Sequence, residues 1–146
     1  MIDMQREVTT DASPEAVFAY LSDFSNSQQW DPGSLRTVRV EGDGGVGTRY
    51  ANTSEFAGRT SNIDYEVIEF HPGTSLTLRG TNSSLVALDT ITVAPKGTGS
   101  TVTYRVQFAF QGWLRWAEPV LRIFMKKLLD DGEKGMQREL NRLVGH

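Results

Sequence analysis

The sequence predicts an α+β fold: a curved, seven-stranded antiparallel sheet, two short helices after the first strand, and a long C-terminal helix over the concave face. Three observations support this prediction. Apolar and polar residues alternate within the first ten residues and in later runs up to residue 110, which is the pattern of half-buried strands. Turn sequences rich in glycine separate these runs. Beyond residue 112 the apolar residues follow helical spacing instead.

The N-terminal region is predicted to form a strand followed by two short helices. The alternation over the first ten residues gives the strand. Ser13 is a suitable N-cap, and Pro14 fits the first helical position, where no backbone donor is needed. This helix is expected to fray near residue 22, and a second helical turn is expected within residues 24–29, before the Pro-Gly pair that follows.

The six later strands are predicted to form an antiparallel meander, because turn sequences join most of them as hairpins. On a sheet with one face in water, the apolar set of each strand is expected to face the core. The runs are those containing Val38 and Val40, then 50–52, 63–67, 76–78, 85–93 and 102–110.

The C-terminal region is predicted to form one amphipathic helix. Its apolar residues run from Leu114 to Leu143, and charged residues from Arg122 to Arg138 occupy the opposite face. Pro119 fits only near the first turn. Gly132 and Gly135 weaken the middle of a helix, and are acceptable if the sheet comes close there. A single helix seldom fills the concavity of a curved sheet, so either large side chains or a cavity should occupy the remainder.

Composition and charge narrow the function classes. The 146 residues fit one domain, 1–146. The net charge of −3 does not indicate a broad basic surface for binding nucleic acid. The absence of cysteine excludes disulfides and thiolate metal sites. Only His71 and His146 are present, which argues against a catalytic triad or a histidine metal site. We therefore expect no metal and no cofactor.

The sequence shows no apolar run long enough for a signal peptide or a membrane span. The expected protein is cytoplasmic, without integral membrane association, and a monomer or a homodimer. The residues Gly42–Gly47 match G-x-G-x-x-G. They are not expected to bind a dinucleotide, because that mechanism needs a helix directly after the glycines and a strand follows here.

Several motifs, together with the order of elements, resemble the polyketide cyclase/dehydrase and lipid-transport branch of the START-like, helix-grip superfamily (SRPBCC). The fold of this superfamily is best known from the birch-pollen allergen. The resemblance covers essentially the whole chain and is more specific for fold than for chemistry, because members include lipid carriers, hormone receptors, aromatase/cyclases and quinone-binding proteins. The motifs are ASPEAVFAYLSDF, WDP, GVGTRY, YEVIEFHPG and GTGSTVTY.

The resemblance implies that the two short helices support the far end of the long helix. It also implies that Trp30 of the WDP motif folds against a cavity or its rim. The alternative is that Trp30 only packs the corner between helix and strand, where a buried tryptophan contributes strongly to any core.

Strand alternation places several polar groups on the inward face. Asp89 lies in register with Ile91 and Val93, and an unpaired buried carboxylate must find a donor, take up a proton or reach water. The alternative is that a bulge or an open edge turns Asp89 outward. Arg79 is expected to face outward, whereas Arg6 is expected inside, paired with a carboxylate.

The candidate ligand-binding residues combine apolar side chains with polar groups that orient a ligand. They are Trp30, Tyr50, Asn52, Tyr65, Asp89, Tyr104, Phe108, Trp113, Leu121 and Met125. Phe110, Trp113 and Trp116 cluster where the last strand meets the long helix, and either gate the cavity or fasten helix to sheet.

Three functions stay open. The first is a binding module for a small hydrophobic or amphipathic molecule such as a lipid, a polyketide or a quinone. The second is a polyketide cyclase, aromatase or dehydratase in which Asp89, Tyr104 or Tyr65 moves protons. The third is an interaction protein with an exposed apolar patch. A membrane-surface role for Leu121–Leu129 is conceivable, but the acidic residues that follow favour a solvated face.

Overall fold

The chain forms one seven-stranded antiparallel sheet in the order β1-β7-β6-β5-β4-β3-β2, covered by a long helix. The computed structural model describes residues 1–56 and 58–144. The predicted fold class is confirmed. The strands are β1 Ile2–Thr10, β2 Ser34–Glu41, β3 Arg49–Phe56, β4 Arg59–His71, β5 Ser75–Thr81, β6 Leu85–Lys96 and β7 Gly99–Phe110. The helices are α1 Pro14–Ser22, α2 Ser27–Trp30 and α3 Glu118–Arg142, with 3₁₀ turns at Phe24–Asn26 and Gly112–Ala117.

The start of α1 follows the sequence prediction. The side chain of Ser13 accepts a hydrogen bond of 3.2 Å from the backbone N–H of Ala16, and Pro14 occupies the first turn. The side chain of Asp23 then accepts from the backbone N–H of Ser25, which begins the 3₁₀ turn. Each of these caps satisfies one backbone donor at the start of a helical segment, whereas α2 begins without a side-chain cap.

The inner face of β2 is polar, which corrects the expectation that the apolar set of each strand faces the core. Val38 and Val40 are exposed, whereas Thr37 is buried. The hydroxyl of Thr37 lies 2.9 Å from that of Ser27 in α2 and accepts a 2.8 Å hydrogen bond from the side-chain amide of Asn52. The cause is local: β2 is an edge strand whose inner face meets polar groups of α2 and β3. Two irregularities in its pairing with β3 also break the alternation.

The register of the central strands places large side chains against a glycine. Tyr65 of β4 lies opposite Gly80 of β5. A Cβ atom at position 80 would lie 2.6 Å from Cε1 of Tyr65, so only glycine lets this ring lie across β5. The neighbouring Arg79 is exposed, which confirms its predicted outward orientation.

The long helix α3 comes closest to the rest of the protein at Gly135. A Cβ atom there would lie 1.9 Å from the carbonyl oxygen of Trp30, whereas a Cβ atom at Gly132 would meet nothing within 4 Å. The sequence prediction assigned the close approach at these glycines to the sheet. It is α2 that approaches, and only at Gly135.

An ion pair between Arg6 and Asp130 links β1 to the middle of α3. Nε of Arg6 lies 2.9 Å from Oδ1 of Asp130, and the Arg6 side chain is largely buried. Arg6 therefore has the carboxylate partner that the sequence predicted, although it does not line the cavity described below. Within residues 1–56 and 58–144, no helix is long and apolar enough to cross a membrane.

Candidate functional site

A cavity lies between the inner face of the sheet and α3. The positions that the centre of a water molecule can occupy inside it amount to about 70 Å³, and the space free of protein atoms, open solvent included, is about 690 Å³. Much of its wall is apolar, and the aromatic rings near the mouth are stacked: Phe108 lies 6.2 Å from Phe110, and Phe110 lies 6.4 Å from Phe56, between ring centroids. Apolar residues that line it include Ile63, Val106, Phe108, Phe110, Met125 and Leu129. Such a wall removes apolar ligand surface from water.

A hydrogen-bonded polar pair lies within this wall. Asp89 of β6 accepts a 2.9 Å hydrogen bond at Oδ2 from the hydroxyl of Tyr104 of β7. Asp89 is only 3% exposed, and its second oxygen, Oδ1, is buried without a hydrogen-bond partner among the described residues. The pKa of Asp89 is raised to about 7. Burial is the main cause, the Tyr104 hydrogen bond opposes it, and the nearby Asp31 adds to it.

A second carboxyl group reaches the cavity from the end of α2. Asp31 lines the cavity and accepts hydrogen bonds of 2.9 Å from the backbone N–H of Gly33 and 3.2 Å from the hydroxyl of Ser34. Burial raises the pKa of Asp31 to about 6, although both hydrogen bonds favour the charged form. The sequence analysis did not select Asp31. Its position directly after Trp30 was the available signal.

Two phenol groups share the polar part of the cavity. Tyr65 and Tyr104 both line it. Burial, together with the nearby charge of Asp89, raises the pKa of each phenol well above its ordinary value. Both groups therefore stay protonated at neutral pH, and each can donate a hydrogen bond but cannot serve as a strong base.

The charged side chains of the cavity all have one sign. The residues that line it include three carboxylic acids, Asp31, Glu55 and Asp89, and, within the described part of the chain, no lysine, arginine or histidine. An anion inside this cavity would therefore meet carboxylates without a neighbouring counter-charge.

Half of the predicted ligand-binding residues line this cavity: Tyr65, Asp89, Tyr104, Phe108 and Met125. The inward orientation of Asp89 excludes the alternative that a bulge turns it to solvent. The ligand contacts themselves stay a prediction.

Trp30 and Tyr50 are buried but do not line the cavity. The ring of Trp30 packs edge-on against Tyr104, with centroids 5.3 Å apart, so it supports the wall from behind. The ring of Phe24 packs against both Tyr50 and Tyr65, at 5.9 and 4.9 Å between centroids, and of these two tyrosines only Tyr65 lines the cavity. The inward burial expected for Trp30 and Tyr50 is present, and their contact with a ligand stays a prediction.

Asn52 and Leu121 also lie outside the cavity lining. Asn52 points inward, but its amide is bound to Thr37 and Ser34 in the polar cluster beneath β2. Leu121 lines a separate groove beside the mouth, which shares Phe110 with the cavity. The side chain of Trp113 lies outside the described part of the structure.

The N-terminal end of α3 carries an exposed apolar patch. Trp116 is 79% exposed, and Val120, Ile123 and Phe124 are exposed as well. Trp116 therefore does not fasten helix to sheet. The only aromatic or cationic contact described for it is with the guanidinium of Arg115, 5.6 Å from its ring centroid. Phe110, in contrast, belongs to the cavity mouth.

Among the described residues, no three histidine or acidic side chains lie close enough together to hold a metal ion. The chemistry available in the cavity is that of hydrogen bonding, proton transfer at carboxyl groups and apolar burial.

Comparison with known proteins places this geometry in a family. A family model described as polyketide cyclase / dehydrase and lipid transport matches residues 1–143. No curated protein matches the sequence.

Solved structures share the fold at low sequence identity. The Zhui aromatase/cyclase from Streptomyces sp. R1128 superposes with a TM-score of 0.85 at 12% identity, covering 98% of this chain and 95% of that one. A START superfamily protein from Mycobacterium smegmatis gives 0.77 at 14% identity, covering 97% and 98%. Ara h 8.0201 gives 0.68 at 18% identity, covering 95% and 97%. At these sequence identities, the structural similarity establishes the helix-grip fold but neither a function nor a ligand.

Proposed function

This chain belongs to the polyketide cyclase / dehydrase and lipid transport family, and from that premise we propose that it binds a small hydrophobic or amphipathic molecule between the sheet and α3. The observation that carries the proposal is the cavity itself. Its wall is largely apolar and carries a few polar groups, among them the buried hydrogen-bonded pair of Asp89 and Tyr104. Ligand sites of this kind combine a large apolar surface with few polar groups that fix orientation.

The contribution of each part of the wall follows from its chemistry. Burial of apolar ligand surface contributes roughly 25 cal/mol per Å², reduced by the loss of ligand freedom on binding. The stacked Phe108 and Phe110 supply the apolar contact near the mouth. Met125 supplies a flexible contact from α3 that adapts to ligand shape.

Gly132 offers a direct test, because it lines the cavity and a Cβ atom there would meet nothing within 4 Å. Gly132→Leu should fill the cavity and leave the fold intact. The measurement is binding of the neutral apolar dye Nile red, followed by its fluorescence. We expect wild type to bind, Gly132→Leu to bind much more weakly, and the exposed-face control Lys134→Leu to bind like wild type. Equal binding by all three proteins would contradict the proposal.

Native mass spectrometry of gently purified protein provides an independent test. A defined additional mass that is absent from Gly132→Leu would identify the class of the natural ligand. Such a mass retained by Gly132→Leu would place the bound molecule elsewhere.

A second function, a polyketide cyclase, aromatase or dehydratase, is favoured by one observation. Asp89 has a pKa of about 7 and lies in the cavity beside a phenol donor. A carboxyl group that holds and releases a proton near neutral pH is suited to general acid-base catalysis. For this function, Asp89→Asn should retain binding of a polyketide-like substrate and lose turnover by orders of magnitude. A binding protein should show no turnover in either form.

A further inference from the structure

We propose that the polar end of the bound molecule donates a hydrogen bond to Asp89 and carries no negative charge, so that it is a hydroxyl or an amine and not a carboxylate or a phosphate. This inference rests on the proposed function. It adds the chemical class of the ligand, which apolar burial alone leaves undefined.

The unpaired oxygen of Asp89 supplies the first argument. Oδ2 already accepts from Tyr104, whereas Oδ1 is buried with no partner in residues 1–56 or 58–144. A buried acceptor without a donor is unfavourable, and the ligand is the partner that the protein itself does not provide. A hydroxyl or an ammonium group satisfies this oxygen. A ligand carboxylate brings no donor at all.

The sign of the charge supplies the second argument, which is independent of the first. Asp31, Glu55 and Asp89 are the charged groups that line the cavity within the described residues. No cation there offsets the charge of a bound anion. Like charges placed together in a poorly solvated site repel strongly, so the cavity discriminates against anionic ligands whatever their shape.

The elements packed around Asp89 add no opposing charge. β7 contributes the phenol of Tyr104, β4 the phenol of Tyr65, and the segment after α2 the carboxyl of Asp31. The part of α3 that covers the cavity contributes Met125, Leu128, Leu129 and Gly132, none of which is charged. The polar end of the ligand therefore meets two phenol groups, Tyr65 and Tyr104, and two carboxyl groups, Asp89 and Asp31. The carboxylate oxygens accept a hydrogen bond from a ligand donor.

The test uses three probes of nearly equal size that differ in their polar end: 4-propylphenol, 4-propylbenzylamine and 4-propylbenzoate. Each displaces Nile red from wild type and from Asp89→Asn at pH 8, where Asp89 is mostly ionised. On wild type we expect the phenol and the amine to bind at least about tenfold more tightly than the benzoate. In Asp89→Asn, whose amide both donates and accepts, this preference should shrink to within about threefold. Tighter binding of the amine than of the phenol would identify a cationic ligand, and the reverse order a hydroxyl.

A second measurement on wild type removes any dependence on how well the variant folds. Between pH 7 and 8.5 the three probes keep their charge, and Asp31, with a pKa of about 6, is already mostly ionised. Asp89 completes its ionisation in this interval. The preference for phenol over benzoate should therefore grow as the pH rises.

The outcomes separate the inference from the proposed function. Benzoate binding as tightly as the phenol, a preference that Asp89→Asn leaves unchanged, or failure of all three probes to displace Nile red would overturn the inference while the binding function stands. If Nile red does not bind wild type, or binds Gly132→Leu equally well, the proposed function fails and the inference fails with it.

Discussion

The hydroxyl of Tyr104 and Oδ2 of Asp89 are joined by a buried hydrogen bond of 2.9 Å across the β6–β7 pair. Asp89 lies opposite Val106, and Ile91 lies opposite Tyr104, so the two residues occupy diagonal positions on neighbouring strands. A long aromatic side chain can span such a diagonal. The pair is thus a product of strand register, and it depends on no loop.

Removing this donor should destabilise the protein. In Tyr104→Phe both oxygens of Asp89 would be buried without a partner, and we expect the free energy of unfolding to fall by about 1–3 kcal/mol. Tyr20→Phe is the matched control, because the Tyr20 hydroxyl donates to the side chain of Gln29 at an exposed position. Urea unfolding at pH 8 measures both. Equal losses of unfolding free energy in the two variants would show that the buried hydrogen bond stabilises the protein no more than the exposed one does.

The stability of the protein should decrease as the pH rises from about 4 to 7. The folded-state pKa values of Asp89 and Asp31, about 7 and about 6, exceed the ordinary value of 3.8. The folded state therefore holds protons that the unfolded chain has already released in this interval, and linkage makes folding less favourable with each pH step. Below about pH 4 both carboxyl groups are protonated in both states, and the decrease levels off roughly one pH unit above the folded-state pKa of Asp89, where both groups are ionised in both states.

Asp89→Asn isolates the contribution of one carboxyl group. Because asparagine cannot ionise, the variant should gain stability relative to wild type by about 2 kcal/mol between pH 5 and 8. Asp3, whose pKa is lowered by its hydrogen bond with Arg105, is the same in both proteins and cancels in the difference. Urea unfolding at several pH values gives this difference. A difference that does not change with pH would mean that Asp89 is not desolvated.

The two glycines of α3 should respond oppositely to the same substitution. Gly135→Ala would place a methyl group against the backbone of Trp30 and should destabilise by at least about 1–3 kcal/mol. Gly132→Ala meets open space and should stabilise by about 0.5–1 kcal/mol through higher helix propensity. Thermal or urea unfolding of the two variants decides this. A loss of stability in Gly132→Ala would show that the helix is strained there.

Asn52 and Phe108 should separate stability from binding. Asn52→Ala leaves the hydroxyls of Thr37 and Ser34 without their donor and should lower stability, while the affinity for Nile red stays near that of wild type. Phe108→Ala removes part of the cavity wall and should weaken Nile red binding by about tenfold. If Asn52→Ala weakened binding as much as Phe108→Ala does, Asn52 would have to contact the ligand after all.

The sequence was a good guide wherever one periodicity governs a whole element. The alternation in β6 and β7 placed Asp89, Tyr104 and Phe108 on the inner face, where they line the cavity. The alternation in β2 predicted the wrong inner face for that strand. The polar cluster under β2 depends on contacts with α2 and β3, which the local sequence pattern does not contain.

The missed part of the site lies where no periodicity applies. Asp31 enters the cavity from the segment after α2, and its position depends on how that short helix meets α3. The family resemblance implies a place for Trp30 against the cavity or its rim, and strand alternation predicts that Tyr50 faces inward. Which ring lines a cavity and which supports the wall is decided by three-dimensional neighbours, here Tyr104 and Phe24.

The close approach of Gly135 to the backbone of Trp30 also restricts how α3 can lie over the cavity. A helix that slipped by one residue would rotate by about 100°, and Lys126 or Glu133 would then replace Met125 or Gly132 over the cavity. Met125 lies ten residues from Gly135, which corresponds to about 15 Å along the helix axis. For the ligand proposed above, the available space would thus depend on a contact outside the cavity. Repositioning α2 offers a way to change ligand selectivity without altering any side chain that touches the ligand.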